Sequence, residues 1–217
     1  MSKVITMSDQ LPHLLRSDAQ DNRDRVLDAA RALFSERGLD VPVRDIARRA
    51  EVGPATLYRR FPTKQSLINE AFADEFESCH QIVEDGCTDP DPWSGFRSVI
   101  ERLGELNARN HGFVDAFMSA SPEAFTVGAH RMELLQKLSE LAERAKRTGE
   151  LRPDFVIDDL VLILLASRGL QSKLTGSRDV AAARFSSLAI DAFRHQGSEI
   201  TPPPAAPIRG GVAAVSS

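Results

Sequence analysis

Six cationic side chains lie within the 21 residues from 44 to 64, and together they have the chemistry to bind phosphate. Two carboxylates, Asp45 and Glu51, share the interval, and Tyr58 adds a rigid phenol that can donate a hydrogen bond. Such a cluster favours a polyanionic partner, although the simpler interpretation is a solvated cationic face that binds nothing. The cations are Arg44, Arg48, Arg49, Arg59, Arg60 and Lys64.

The chain as a whole carries the opposite charge. Residues 1–64 contain 12 Lys and Arg against 9 Asp and Glu, a balance of +3, while residues 65–217 contain 15 against 22, a balance of −7. The net charge of the 217-residue chain is therefore −4. A polyanion would be attracted to the N-terminal end and repelled by the rest, so the asymmetry favours a binding surface at that end.

Apolar residues around the cluster recur at helical spacing and predict the elements that position it. A first helix is predicted over about 22–37 and a short second helix over about 43–50. Pro54 suits the first turn of a third helix, because its missing N–H costs nothing there. Thr63 can cap a fourth helix, which the pattern continues to about residue 85.

Residues 43–61 fit a helix-turn-helix, in which the second helix enters the major groove of DNA with its N-terminal residues against base edges. Arg59 and Arg60 could reach either bases or phosphates, and Lys64 lies at the start of the fourth helix, where the helix dipole attracts anions. The N-terminal residues of the second helix are small and allow close approach: Gly53, Pro54, Ala55 and Thr56.

The segment VPVRDIARRAEVGPATLYRRFPTKQSLINEAF, preceded by RVLDAARALFSERG, resembles the N-terminal DNA-binding domain of TetR-type transcriptional regulators over residues 22 to about 76. The resemblance implies a homodimer in which each subunit carries three N-terminal helices for DNA and a larger helical domain for a small effector. By position it implies phosphate contacts from Tyr58 and Lys64. It implies base contacts from Arg44, Pro54, Ala55, Thr56 and Arg59.

Three positions depart from the family pattern. Glu51 stands where the turn usually has glycine, and a non-glycine residue in the left-handed region costs on the order of 1 kcal/mol. We expect its carboxylate to tilt outward. Pro42 and Gly53 replace the hydroxyl residues that usually cap the second and third helices, so one or two phosphate contacts per subunit are expected to be lost.

The rest of the chain predicts helices and no strand. Helices are predicted from Asp91-Pro92, around 111–119, and from Ser121-Pro122 to about Thr148. Two final helices are predicted over about 157–174 and 179–196. The predicted fold is all-α, with about nine helices: an N-terminal three-helix helix-turn-helix DNA-binding domain and a larger helical ligand-binding and dimerisation domain.

The predicted domain limits follow from these patterns. Residues 1–20 are expected to be a flexible arm and 21–65 the DNA-binding domain. Residues 66–197 are expected to bind an effector and to dimerise, and the Pro-, Gly- and Ala-rich residues 198–217 to be a disordered tail. The family resemblance favours a homodimer through the last two helices, which would form a four-helix bundle across the two-fold axis.

An effector cavity is suggested by aromatic and apolar residues of the larger domain, although ordinary core packing is the simpler interpretation. Arg168 interrupts an otherwise apolar helix and is either an interface ion-pair partner or an effector ligand. The other candidate ligand contacts are Trp93, Phe96, Leu103, His111, Phe113, Phe117, Met118 and Phe125.

Several function classes are disfavoured by missing motifs. The sequence has no Walker loop, no GxSxG elbow and no HExxH pair, and Cys79 and Cys87 are spaced for neither a zinc site nor a disulfide framework. No apolar run approaches a membrane span and no secretory leader is recognisable, so a cytoplasmic protein is expected, without cofactor or metal.

The sequence therefore predicts a ligand-responsive regulator that binds a palindromic operator as a homodimer, most often a repressor in this family, and is released by a small-molecule effector. Three alternatives are an activator of the same type, a helical interaction module whose cationic end binds an acidic protein, and a small enzyme using His111 as a base. The enzyme is disfavoured because no polar partner is predicted near His111.

Overall fold

The computed structural model describes residues 11–110, 112–119, 127–171 and 178–195. Side chains are described for 20–110, 112–117, 131–167 and 179–195. The described residues form ten α-helices, and their remaining regular pairing is an isolated bridge between Leu151 and Arg194, so the all-α prediction is confirmed. The helices are α1 (Leu11–Arg37), α2 (Val43–Arg49), α3 (Pro54–Arg60), α4 (Lys64–Ala71), α5 (Ala73–Thr88), α6 (Pro92–Arg109), α7 (Phe113–Ser119), α8 (Val127–Arg147), α9 (Ile157–Gln171) and α10 (Arg178–Phe193).

Helix α1 begins earlier than the sequence predicted. It starts at Leu11 rather than near residue 22, so residues 11–20 are helical, and the expectation of a flexible arm over 1–20 stays a prediction. No glycine or proline occurs between His13 and Arg37, and a helix that has nucleated therefore propagates through this polar stretch. Residues 1–10 lie outside the described part of the chain.

The predicted single helix from Thr63 to about residue 85 is wrong, because the structure divides it at Phe72. This residue leaves helical geometry with φ −113° and ψ 20°, and its buried ring stacks on Phe34 at a centroid distance of 6.1 Å. The Arg31 side chain donates from Nε to the carbonyl oxygen of Ala71 at 2.6 Å. The end of α4 is thus held on α1.

The chain divides into two compact units between Phe72 and Ala73. The division falls after α4, whereas the predicted boundary lay between residues 65 and 66. Helix α4 belongs to the first unit because Leu67, Ile68 and Ala71 bury their side chains there. An ion pair between Arg23 of α1 and Glu70 of α4, with Nε and Oε1 2.6 Å apart, also joins these helices.

The second unit packs around α6, which contacts α5, α8, α9 and α10. The crossing of α5 and α6 is close, since a β-carbon placed on Gly95 would lie 2.2 Å from the carbonyl oxygen of Gly86. At the crossing with α10, a β-carbon on Gly104 would lie 2.3 Å from Oγ of Ser186. The missing side chains let the helix backbones approach.

Several predicted helix ends are confirmed. Asp91 caps α6 by accepting a hydrogen bond from the N–H of Trp93 at 3.0 Å. Gly149, with φ +80°, follows the end of α8. The predicted start at Ser121-Pro122 and the predicted tail over 198–217 lie outside the described residues. Cys79 and Cys87 are both free thiols. Within the described segments, no helix has the length and hydropathy to cross a bilayer.

Candidate nucleic-acid interface

The turn between α2 and α3 is a helix stop in the left-handed region. Glu51 has φ +56°, its N–H donates to the carbonyl of Arg48 at 3.2 Å, and the N–H of Val52 donates to the carbonyl of Ala47 at 3.0 Å. These two bonds define a Schellman motif, which usually has glycine at its left-handed position. Glu51 is exposed, as expected, and its conformation costs roughly 1–2 kcal/mol.

Helix α3 is anchored through one side. Leu57 is 1% exposed, and Phe61, directly after the helix, is equally buried. Pro54 occupies the first turn, and Gly53 precedes it with φ −66° and ψ 140° and no capping side chain. The remaining six residues of α3 are exposed. This short helix therefore presents nearly its whole surface to solvent.

The structure leaves the predicted contact residues accessible to solvent. Tyr58 is 51% exposed, which is unusual for a large aromatic side chain, and Lys64 is half-buried at the start of α4. The remaining predicted contacts are all exposed: Arg44, Gly53, Pro54, Ala55, Thr56, Arg59 and Arg60. Their exposure is what groove contact requires, while their roles in binding stay predictions.

Two of the six clustered cations form ion pairs within the protein. Arg48 pairs with Asp45 at 3.2 Å, and Asp45 also accepts from Arg37 at 3.1 Å. Arg49 forms a two-bond pair with Glu36, at 2.8 and 2.9 Å. The sequence count missed Glu36 because this residue lies outside the interval. The Asp45 side chain is only 13% exposed, but the arginines of these pairs are exposed, so phosphate can compete for them.

Four cations remain available for phosphate. Among the described residues, no carboxylate lies within 4.0 Å of the charged groups of Arg44, Arg59, Arg60 or Lys64. Thus, within the described part of the chain, the cations that the sequence assigned to DNA contact are those without an ion-pair partner. A cation that gives up no ion pair on binding keeps more of the energy of its phosphate contact.

The N-terminus of α4 is capped as the sequence predicted. The Thr63 hydroxyl accepts from the N–H of Ser66 at 2.9 Å, and the Ser66 hydroxyl accepts from the N–H of Thr63 at 3.2 Å. This capping box fixes the first turn, where Lys64 stands. The Lys64 side chain and the positive end of the helix dipole both favour binding of an anion at this N-terminus.

A concave surface adjoins α3. It has a volume of about 330 Å³, an apolar floor that includes Val26, Leu57 and Phe61, and a polar rim that includes Thr56 and Arg59. Asn22 and Arg23 of α1 also line it, and the sequence had not marked either as functional. Their nearness to α3 follows from tertiary packing, in which α1 contacts α2 and α4, and residue spacing within one helix cannot reveal it.

A second cavity, of about 50 Å³, lies inside the second unit. Three of the predicted effector contacts line it, namely Leu103, Phe113 and Phe117. The other lining residues are Cys79 and Val83 of α5, Asn107 of α6, Val114 of α7, Leu134, Leu135 and Leu138 of α8, and Leu160, Val161 and Leu164 of α9.

The structure does not bring the other predicted effector contacts to this cavity. Trp93 and Phe96 stack on each other at 6.0 Å, and Phe96 meets the ring of Phe155 edge-on at 5.2 Å in a separate core cluster. His111 and Phe125 lie outside the described residues. Met118 and Arg168 belong to α7 and α9, but their side chains lie outside the described part of the chain.

Asn107 is the cavity residue that the sequence could have signalled. It follows Leu103 by one helical turn, on the apolar stripe of α6, where a polar residue needs an explanation. Cys79 also reaches the cavity, and burial raises the pKa of its thiol to about 12. Arg131 is buried nearby on α8, where desolvation lowers the pKa of its guanidinium and Nη1 donates to the carbonyl of Phe117 at 3.3 Å.

Comparison with known proteins agrees with this geometry. Residues 26–71 match the model of bacterial regulatory proteins of the tetR family. The chain is similar to the HTH-type transcriptional repressor KstR of Rhodococcus jostii, with 49% identity over 130 residues, covering 58% of this chain and 60% of the relative. KstR of Mycolicibacterium smegmatis is 31% identical over 140 residues, covering 63% and 69%. KstR of Mycobacterium tuberculosis is 31% identical over 140 residues, covering 63% and 64%.

The fold is also similar to a solved structure, the ketosteroid transcriptional regulator KstR2 of Mycobacterium tuberculosis. The TM-score is 0.61 at 17% identity, and the match covers 79% of this chain and 94% of that chain. The chain spans less than two thirds of the length of two of the KstR relatives above.

A helix-turn-helix unit with an exposed second helix is the arrangement that DNA-binding transcriptional regulators use. The chain belongs to the TetR family of that class.

Proposed function

We propose that this protein is a ligand-responsive transcriptional repressor that binds a palindromic operator as a homodimer and is released by a small molecule. The observation that carries the proposal is the surface of α3, on which six of seven residues are exposed, including Arg59 and Arg60, which have no ion-pair partner among the described residues. The names of the KstR relatives support repression rather than activation, since each is named a repressor. The site of action would then be bacterial cytoplasm.

On this proposal the contact residues divide into two groups. Thr56 and Arg59 would read base edges, together with Arg44, Pro54 and Ala55, while Tyr58 and Lys64 would bind phosphate. Arg60 and Gly53 would lie at the margins of the contact. Base contacts specify a sequence, whereas phosphate contacts position the protein and make binding depend on salt.

The test begins with selection of bound duplexes from a random pool at low ionic strength. A palindromic site is expected, with half-site centres one helical turn, roughly 34–36 Å, apart. Thr56→Ala and Arg59→Ala should then change base preference by about 1–3 kcal/mol at single positions. Tyr58→Ala and Lys64→Ala should weaken all duplexes similarly, and Lys64→Ala should also reduce the salt slope because it removes a charge. No retained duplex in the selection, or equal losses for all four variants on all sequences, would contradict the proposal.

Exposed apolar side chains on α9 and α10 support dimerisation through these helices. Leu162 of α9 is 57% exposed, and Val180 and Leu188 of α10 are 73% and 52% exposed. The two helices contact each other, so their apolar side chains belong to one packed pair. Exposed apolar side chains are typical of protein interfaces where they form a contiguous patch, as we propose for these two helices.

The dimer proposal is tested by a paired substitution. Leu162→Glu with Leu188→Glu should give a monomer in sedimentation equilibrium and reduce affinity for a palindromic duplex, because charged groups would be buried at the two-fold axis. Val156→Glu changes an exposed apolar residue that precedes α9 and is the matched control. A paired variant that stays dimeric would show that the interface lies elsewhere.

A further inference from the structure

The cavity of the second unit has an apolar lining with one amide in it. All of its other lining residues are hydrocarbon, aromatic or thiol side chains, and none of the described lining residues is charged. Transfer of an ionised group into such surroundings is costly unless a partner charge meets it. The nearby buried cation, Arg131, is not among the lining residues and donates to the Phe117 carbonyl. The lining therefore suits an uncharged molecule.

The geometry around Asn107 fixes the orientation of its amide. Asn107 is 3% exposed, and its Nδ2 donates to Oγ of Ser167 at 2.6 Å and to the carbonyl oxygen of Leu164 at 3.2 Å. Ser167 in turn donates to the same carbonyl at 2.8 Å. A backbone carbonyl can only accept, so the amide nitrogen must face it. The amide oxygen Oδ1 is thereby directed away from α9.

Oδ1 of Asn107 is left without a donor. Across the described residues, the side-chain hydrogen bonds of Asn107 are the two that Nδ2 donates. Asn107 is a buried residue, but its amide oxygen is not among the fully enclosed polar atoms that lack a partner, so it stays accessible to a small molecule. An amide oxygen in apolar surroundings is unfavourable unless some group donates to it. The structure thus combines an apolar cavity with an unused acceptor on a buried residue at its wall.

We propose that this cavity selects an uncharged apolar alcohol, whose hydroxyl donates to Oδ1 of Asn107. The inference rests on the proposed function, in which this cavity holds the effector. A ketone of the same shape would set two acceptor oxygens against each other, and a hydrocarbon would leave Oδ1 unpaired. The cavity of about 50 Å³ exceeds the roughly 10–15 Å³ that one water needs, but larger alcohols require side chains to move.

The experiment compares small ring compounds of one shape by NMR titration of the full chain without DNA. The probes are cyclohexanol, cyclohexanone, methylcyclohexane and cyclohexanecarboxylate. Cyclohexanol should bind at least about tenfold more tightly than cyclohexanone, since a site that offers a buried acceptor rejects ligands without a donor. Equal or tighter binding of the ketone or the carboxylate, or no binding of any probe, would overturn the inference.

Two variants assign the selectivity to Asn107. Asn107→Leu keeps a similar volume and should abolish the preference for the alcohol while retaining methylcyclohexane. Ser167→Ala removes one hydrogen bond to Nδ2 but leaves Oδ1 in place, so the preference should persist. A preference that survives in Asn107→Leu would overturn the assignment, and the wild-type comparison decides the ligand class even if this variant does not fold. Because no DNA is present, these results are independent of whether operator binding is found.

Discussion

In the first unit, the candidate contact side chains stand on helices of seven and eight residues and face solvent. In the second unit, the residues that line the cavity come from five helices and face inward. The exposed surface can meet a partner without rearrangement, and its specificity lies in which side chains it displays. The cavity can admit a ligand only if packed side chains move, so its occupancy is linked to the conformation of the unit. On the proposed function, the first unit would recognise DNA and the second would respond to an effector.

The first prediction separates folding from contact at adjacent positions of α3. Leu57→Ala should destabilise the first unit by about 2–5 kcal/mol, because Leu57 is the buried anchor of this helix. Thr56→Ala, at the exposed neighbouring position, should change stability by less than about 0.5 kcal/mol. Urea unfolding followed by circular dichroism measures both. Similar losses would mean that α3 is not held through one side.

The second prediction uses the cysteines of the second unit to report on its cavity. Iodoacetamide at pH 8 should label Cys87 at least about tenfold faster than Cys79, because burial raises the pKa of Cys79 to about 12 and shields it, while Cys87 is partly exposed. Mass spectrometry of timed samples measures the two rates. Fast labelling of Cys79 in the folded protein would show that the cavity opens freely, and would weaken the contrast between the units.

The third prediction concerns the strained turn of the first unit. Glu51→Gly should stabilise the protein by about 1 kcal/mol, because glycine adopts positive φ without steric cost. Glu51→Gln keeps the backbone strain but removes the negative charge. Urea midpoints should therefore rise for Gly and not for Gln, while both variants should bind duplex DNA more tightly than wild type. A stabilised Gln variant would assign the effect to charge rather than to backbone conformation.

The fourth prediction tests whether paired arginines can be released to phosphate. Asp45→Asn should free Arg37 and Arg48 and steepen the slope of log affinity against log salt by about 0.9 for each added phosphate contact. Asp154→Asn makes the same charge change in the second unit, where Asp154 pairs with Arg152, and is the control. Equal slopes in filter-binding titrations of the two variants would indicate a general charge effect instead.

The two regions also differ in how far the sequence predicted them. The contact surface could be predicted because its residues lie within one short segment, where periodicity, Pro54 and Thr63 define the helices locally. The cavity could not be predicted, because its wall is built from five helices. Each helix contributes apolar residues that have the same pattern as ordinary core residues. Trp93 and Phe96 are aromatic residues of predicted helices, as are Phe113 and Phe117, and the sequence does not distinguish the two pairs. In the folded protein they belong to different aromatic clusters.

The same reasoning explains the remaining errors in the helix predictions. The break at Phe72 depends on Phe34, which lies far away in sequence, and periodicity alone therefore continued the helix across it. The early start of α1 at Leu11 was missed because a mostly polar stretch over 16–25 separates Leu11, Leu14 and Leu15 from the apolar stripe that begins at Val26. Local patterns determine the helical state, whereas helix limits are set by contacts between distant segments.

The close crossing at Gly86 and Gly95 restricts how this protein can diversify. A methyl group at either position would meet backbone atoms less than 3 Å away, and backbone cannot swing aside as a flexible side chain does. A library that randomises the second unit should therefore lose nearly every substitution at these two positions while it accepts many around them. New effector preferences would then arise by exchange of residues in the cavity wall, with the spacing of α5 and α6 inherited unchanged.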